Sequence, residues 1–173
     1  FYLRVRLHCR RLHVDRDLLR EMHTGKRREA AADGRSSRRA TGGHLDAGIL
    51  GTKYLIDALT EGGRADVVYA MATKTDFPSW GHWLAQGATT LWEDWQGGGS
   101  HNHIMFGHIG AWFYTAVAGI APDPEGPGFK RIIIRPRPVG DLTWARAEHI
   151  SMYGPIRSAW RKDADGFHLD VTI

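Results

Sequence analysis

Five of the chain's seven tryptophans, Trp80, Trp83, Trp92, Trp95 and Trp112, fall between positions 80 and 112. Two of them flank a pair of carboxylates in Trp92-Glu93-Asp94-Trp95, and Gly97-Gly98-Gly99 follows at once, a run that no regular element tolerates well. Indole faces stack on the C–H faces of sugars, and the indole N–H can donate to a hydroxyl. The competing reading is that the rings merely plug gaps between helices. Trp112 lies in a strongly apolar stretch and is expected in the core. For the four others, set in or beside Gly- and Ser-rich loop sequence around a carboxylate, a sugar platform is the expectation.

Glu93 is the candidate acid–base residue. Set between two rings, its carboxyl group is expected to be partly desolvated, which favours the protonated form and suits general acid–base work. Asp94 should point elsewhere, and a loop cap or surface ion pair is its expected role. Asn102 and His103 close the same loop, and both can hydrogen-bond sugar hydroxyls; His103 can also carry a proton or sit satisfied in the core. His82, His101 and His108 raise the question of a metal. Neither His101-x-His103 nor His103-x4-His108 has a zinc-protease spacing, and no acidic cluster completes a ligand set, so no metal site is expected. No cofactor is expected either. Gly97-Gly98-Gly99 is not followed by Lys-Ser/Thr, Gly42-Gly43 does not follow a strand, and there is no Gly-x-Ser-x-Gly elbow.

The elements that must position these residues follow from periodicity. Ile49, Leu50, Tyr54, Leu55, Ala58 and Leu59 recur at helical spacing and predict a helix over 47–60, with Gly62-Gly63 as its stop. A second helix is expected from Arg64 to about Lys74; the short link makes the two antiparallel neighbours. Asp76-Phe77-Pro78-Ser79 breaks the pattern, a short helical turn follows around Trp83 to Gln86, and 92–102 is a loop. Ile104, Phe106, Ile109, Trp112, Phe113, Ala116 and Val117 predict a third, buried helix over 103–119. Residues 121–128, with three prolines and two glycines, are expected to be a linker or long turn. Beyond it, 129–136, 142–153, 156–160 and 167–173 read as strands, the last pairing with the third across Asp165-Gly166. Helices followed by a run of strands indicate two domains, not alternating βαβ units.

The 173-residue chain, 42% hydrophobic and 24% charged, has the profile of a globular protein with a real core. Its single cysteine, Cys9, excludes an internal disulfide and a Cys-rich metal site. The net charge of +4 is unevenly placed: residues 1–40 hold eleven arginines and one lysine against five acids, which leaves the remainder mildly acidic. That front segment contains no apolar signal-peptide stretch and no membrane-spanning run. A basic arm for nucleic acid is weighed against an irregular segment, or one read out of frame from GC-rich DNA, and is set aside. Neither a nucleic-acid nor a membrane partner is expected.

Several motifs in order then resemble one family. Pro78-Ser79-Trp80-Gly81, Gly87-Ala88-Thr89-Thr90-Leu91-Trp92-Glu93-Asp94-Trp95 and Asn102-His103-Ile104-Met105-Phe106-Gly107 are similar to late catalytic-domain motifs of bacterial α-L-rhamnosidases, glycoside hydrolase family 78. The likeness takes in His44 to Thr52 upstream and Trp112-Phe113-Tyr114, Ala118-Gly119-Ile120 and Gly128-Phe129-Lys130 downstream, covering about 41–173. It implies the last helices of an (α/α)6 barrel over 41–121, followed by part of a C-terminal β-sandwich over 122–173, with 1–40 an irregular Arg-rich segment. It also implies inverting hydrolysis of a terminal α-L-rhamnose from a rhamnosyl glycoside or rhamnose-containing polysaccharide. In that chemistry one carboxylic acid protonates the leaving oxygen and a carboxylate activates water on the opposite face. By the resemblance Glu93 corresponds to the general base, His103 to a sugar-contacting residue, and Trp80 and Trp95 to the pocket wall. The family's general acid belongs to an earlier part of the barrel, and nothing like its motif stands in residues 1–40. The chain is therefore expected to be a fragment, inactive by itself. Another α/α-barrel glycosidase, or a non-catalytic carbohydrate-binding module using the tryptophan face alone, are the rival readings.

Overall fold

A computed structural model describes residues 43–45 and 47–173; the expectations for residues 1–40 lie outside the described residues. The described chain divides into two compact units, one ending at Trp112 and the other running from Phe113 to Ile173.

The first unit is helical. Helix α1 (Gly48–Glu61) buries Thr52, Ile56 and Leu59, a spacing of four and three that keeps one face inward. Leu50 and Tyr54, expected to pack, lie instead on the outer side of α1 with about 70% of their surface exposed (70% and 71%). The helix ends where expected: the Gly62 amide donates to Ala58 O, and the Arg64 amide to Leu59 O at 2.7 Å. Helix α2 (Ala65–Ala72) follows after that tight link and buries Ala65, Val67, Val68 and Met71. The Phe77–Pro78 peptide bond is cis, and Ser79 then caps α3 (Trp80–Ala85) by accepting the His82 amide at 3.0 Å. This helix begins three residues earlier than the sequence suggests, because a buried Ser79 oxygen satisfies an otherwise orphaned N–H.

The expected third long helix is the main departure. A 3₁₀ turn (Met105–Gly107) leads into a short α4 (His108–Trp112), and the second unit opens on a π-helical turn (Phe113–Val117). Phe106, Ile109, Trp112, Ala116 and Val117 are buried, as the apolar pattern predicts, but Ile104 (77% exposed) and Phe113 (47%) are not. The helix type differs as well, because apolar residues on most faces do not specify one hydrogen-bond register. Trp112 is core, as expected; its indole N–H donates to Thr60 Oγ1 at 2.8 Å.

In the second unit, strand β1 (Ile120–Pro122) pairs antiparallel with β2 (Ile132–Ile134), with Ile120 opposite Ile134. The sequence suggests a linker over 121–128 and a longer strand at 129–136. Pro122 has no N–H to extend the ladder, and the intervening turn is held by Arg131, which reaches Asp123 at 3.0 Å and Glu125 at 2.6 Å. Strands β3 (Trp144–Ser151), β4 (Gly154–Asp163) and β5 (Gly166–Thr172) form an antiparallel sheet in the order β3-β4-β5. The β4–β5 pairing across Asp165-Gly166 is as the sequence predicts, with Asp163 opposite Gly166. Ile156, Ser158 and Trp160 on β4 and Leu169 and Val171 on β5 are buried at alternate positions, the period-two pattern of a sheet with one face covered. Two side chains tie that face to the turn before β1: Trp160 donates its indole N–H to Val117 O, and Ser158 its hydroxyl to Ala118 O, each at 2.7 Å. Among the described residues no helix is long and apolar enough to cross a membrane.

Candidate active site

The loop between Leu91 and His103 folds back on itself. His103 N donates to Leu91 O at 2.9 Å, Glu93 N donates to Ser100 O at 2.9 Å, and the Thr90 hydroxyl donates to His101 O. These bonds run Leu91–Glu93 beside Ser100–His103, so residues seven to twelve positions apart in sequence become neighbours. Glu93, Asn102 and His103, singled out separately, are thereby gathered at one loop. The sequence signal for this was their order around a Gly-rich stretch; the pairing itself was not legible.

The glycines make the fold-back feasible. Gly99 has φ +64°, and a Cβ there would stand 2.6 Å from Glu93 Oε2; at Gly97 a Cβ would meet the Trp92 ring at 2.8 Å. The backbone can therefore approach both side chains closely, and the Ser100 amide donates to Glu93 Oε2 at 2.8 Å. A backbone donor of this kind orients the carboxylate and stabilises it as an acceptor. Oε1 accepts no hydrogen bond among the described residues and is the oxygen available to a water or hydroxyl. Glu93 is half-buried rather than enclosed. Asp94 caps the loop, its Oδ1 accepting the Gly98 amide at 2.9 Å, the local role expected of it.

The tryptophans form a cluster beneath this loop. Trp83, only 2% exposed, lies 4.5 Å from Trp95 and 5.7 Å from Trp92 between ring centroids, and 5.4 Å from Phe106. Trp95 stands edge-on to Trp80 at 5.4 Å and lies 4.2 Å from Phe106. Trp92 stacks on His101 at 4.6 Å, and that histidine's Nε2 lies 2.8 Å from Gly97 O. The indole N–H of Trp80 donates to Phe106 O and that of Trp83 to Trp95 O, both at 3.2 Å. Those two N–H groups are committed to backbone, so what Trp80 can offer a ligand is a ring face. Trp83 is a core residue, against the expectation that it belongs to an open platform. The reason is tertiary: its ring packs against Trp92, Trp95 and Phe106 and its N–H is taken by Trp95 O, contacts that the local loop composition does not reveal. The Nε1 of Trp95 is buried and makes no hydrogen bond.

His103 is half-buried, and its Nδ1 lies 3.5 Å from the Met105 amide, a long contact that leaves the ring steered rather than locked. Asn102 is exposed, its amide N–H donating to Ser100 Oγ at 3.1 Å. Sequence reasoning missed an ionic group beside the apolar core of this unit. Asp57 on α1 accepts from Lys53 at 2.5 Å and lies 2.8 Å from His108 Nε2 on α4, joining the two helices. Burial raises the Asp57 carboxyl pKa, but the hydrogen bonds from Lys53 and His108 outweigh it and hold it below its ordinary value. The i, i+4 spacing of Lys53 and Asp57 was available in the sequence; the partner 51 residues away was not. Among the described residues no group of three or more His, Cys, Asp or Glu side chains could hold a metal ion.

The chain is similar to known α-L-rhamnosidases. The model of the bacterial α-L-rhamnosidase six-hairpin glycosidase domain matches residues 16–117, and that of the bacterial α-L-rhamnosidase C-terminal domain matches residues 119–173. An α-L-rhamnosidase of Streptomyces avermitilis is 40% identical over 141 residues, which is 75% of this chain and 14% of that protein. One from an Alteromonas species is 39% identical over 141 residues, 75% of this chain and 15% of its own. The crystal structure of the Streptomyces avermitilis α-L-rhamnosidase complexed with L-rhamnose superposes with a TM-score of 0.70 at 39% identity, covering 76% of this chain and 14% of that one. The chain thus spans about one seventh (14–15%) of the length of the curated relatives it matches. Helices followed by antiparallel strands agree with both family models: the chain belongs to the bacterial α-L-rhamnosidases, matching the six-hairpin glycosidase domain and then the C-terminal domain.

Proposed function

We propose that this chain forms part of an inverting α-L-rhamnosidase that removes terminal α-L-rhamnose from rhamnosyl glycosides or rhamnose-containing polysaccharides, with Glu93 as the general base. The observation that carries the reading is the fold-back of 91–103. It fixes Glu93 through one oxygen by the Ser100 amide and brings Asn102 and His103 to the same loop. In this role Glu93 Oε1 takes a proton from water as it attacks the anomeric carbon. His103 and Asn102 bind rhamnose hydroxyls, and Trp80 and Trp95 wall the pocket with ring faces, in keeping with the committed N–H of Trp80. The general acid is a second carboxyl group, set roughly 6.5–9.5 Å from the base to leave room for water.

The helical residues, in this reading, belong to an (α/α)6 barrel and the strands to a β-sandwich. The exposed Leu50 and Tyr54 on α1, four residues apart, form the apolar stripe that a further barrel helix would cover. The relatives' names and the L-rhamnose in one relative's crystal support rhamnose as the sugar.

One experiment tests the proposal: release of an aryl leaving group from an aryl α-L-rhamnoside. A full-length enzyme carrying this segment turns over; Glu93→Gln in it loses about two to four orders of magnitude in kcat. The 173-residue chain alone, supplying one carboxylate where inversion needs two, releases no rhamnose. Turnover by Glu93→Gln within a few-fold of wild type removes Glu93 from the base role, and rhamnose release by the isolated chain refutes the need for a second carboxyl group from elsewhere.

A further inference from the structure

The β3-β4-β5 sheet has two unlike faces. One carries the buried Ile156, Ser158, Trp160, Leu169 and Val171. On the other, the register sets Trp144, Arg161 and His168 abreast, and one step along it sets Arg146, Ala159 and Asp170 abreast. Ala159 is the small residue in this second row. Because it stops short, the larger side chains around it enclose a trough of about 370 Å³ lined by Trp144, Arg146, Ala159, Arg161 and Asp170. That size falls within the range of about 300–1,000 Å³ usual for small-molecule sites.

The chemistry of the trough is specific. Trp144 is 67% exposed, with its indole available as a platform. Arg161 is held by Asp163 on the same strand, and Arg157 by Glu148 at 2.6 Å. Arg146 and Asp170, by contrast, make no direct hydrogen bond or ion pair among the described residues, although Arg146 interacts electrostatically with Glu148. They stand on the strands either side of β4, two strand spacings apart, about 10 Å between backbones. A donor-only guanidinium and an acceptor-only carboxylate thus face each other across a gap floored by a methyl group. A pyranose ring fits this pattern: one face against indole, one hydroxyl receiving from Arg146 and another donating to Asp170. The charges argue for a neutral sugar. A uronate carboxylate would be repelled by Asp170, would find Arg161 already neutralised by Asp163, and would meet Arg146 in the field of Glu148, two residues along β3 on the same face.

We propose that this sheet face is a binding subsite for a neutral pyranose, built from the strand unit alone and from none of the residues of the Glu93 loop. It holds whether or not Glu93 is a catalytic base. Its task is to hold saccharide, not to cleave it.

The test is a titration of the ¹⁵N-labelled 173-residue chain, followed by the indole and amide N–H signals. Methyl α-L-rhamnopyranoside and methyl β-D-glucopyranoside are the neutral probes, and methyl β-D-glucuronide is the anionic one. Saturable movement of the Trp144 indole signal with a neutral glycoside, and a weaker response to the glucuronide, is the expected result. Trp144→Ala, Arg146→Ala and Asp170→Ala each weaken binding about fivefold to tenfold, as loss of a stacking or charged hydrogen-bonding partner should. Ala159→Leu fills the trough and abolishes binding, whereas Lys162→Ala, which removes a positive charge from the opposite face, changes nothing. Retained amide dispersion shows that each variant is folded. No movement of the Trp144 signal, tighter binding of the glucuronide, or an equal effect of Lys162→Ala overturns the proposal.

Discussion

Replacing Gly99 by alanine isolates what the fold-back contributes to the candidate base. Two effects follow from the geometry. The first is backbone: at φ +64° an L side chain costs about 1–2 kcal/mol. The second is contact: the new Cβ would lie 2.6 Å from Glu93 Oε2, where ordinary contact begins at 3.4 Å, so the carboxylate must retreat by about 0.8 Å, the difference between the two. Its 2.8 Å hydrogen bond from the Ser100 amide cannot survive that shift without the loop moving too. A displacement near 1 Å of a catalytic group costs on the order of a hundredfold. In a full-length enzyme carrying this segment, Gly99→Ala should therefore lower kcat on an aryl α-L-rhamnoside by about that factor, with a smaller change in KM. In the isolated chain the same substitution should move the Ser100 amide signal in ¹⁵N spectra and leave the β4 and β5 signals in place. A kcat within about threefold of wild type, measured while the Ser100 amide is visibly shifted, would refute the reasoning. It would mean that the position of Glu93 does not matter to turnover.

Two predictions concern stability. The Asp57 pKa is lowered in the folded chain, so the contact with Lys53 and His108 contributes fully above the carboxyl's ordinary value of 3.8 and is lost as pH falls below it towards the folded value. Because the Asp57 side chain is 39% exposed, the contribution is discounted for screening to about 1 kcal/mol or less. Urea denaturation should show Asp57→Asn destabilised by that amount at neutral pH and matching wild type in strong acid; an equal deficit at both would refute the ionic account. Trp160→Phe removes the N–H that satisfies Val117 O in a buried position and should cost about 1–3 kcal/mol in denaturant midpoint analysis. A variant as stable as wild type would show that this bond does not tie the sheet to the turn.

How far the sequence reached depended on whether a feature is local. Helix α1 and its stop at Gly62-Gly63, the loop at 92–102 and the β4–β5 hairpin are written in spacing and turn residues that act over a few positions, and each stands where the sequence puts it. Local pattern also picked out Glu93 and the residues around it, because a carboxylate among tryptophans and glycines is an unusual composition.

What the sequence could not specify was which neighbours arrive from a distance. The 103–119 stretch is apolar on most sides, and that pattern is compatible with 3₁₀, α and π turns alike; the close approach of Leu91 to Gly107 in the 3₁₀ turn is a contact from outside the stretch. Whether an indole N–H meets solvent or a carbonyl is likewise a tertiary matter, and Phe106 O, 26 residues away, claims that of Trp80. Ile120–Pro122 is a strand only because Ile132–Ile134 lies beside it. Residue type and spacing thus determined the chemistry this chain can offer and the elements that carry it. Long-range contacts decided which of those groups are core, which are held in place and which remain open to a ligand. The physical reason is that a hydrogen bond or a buried ring is satisfied by whatever partner the folded chain brings to it, and that partner leaves no mark on the residues next door.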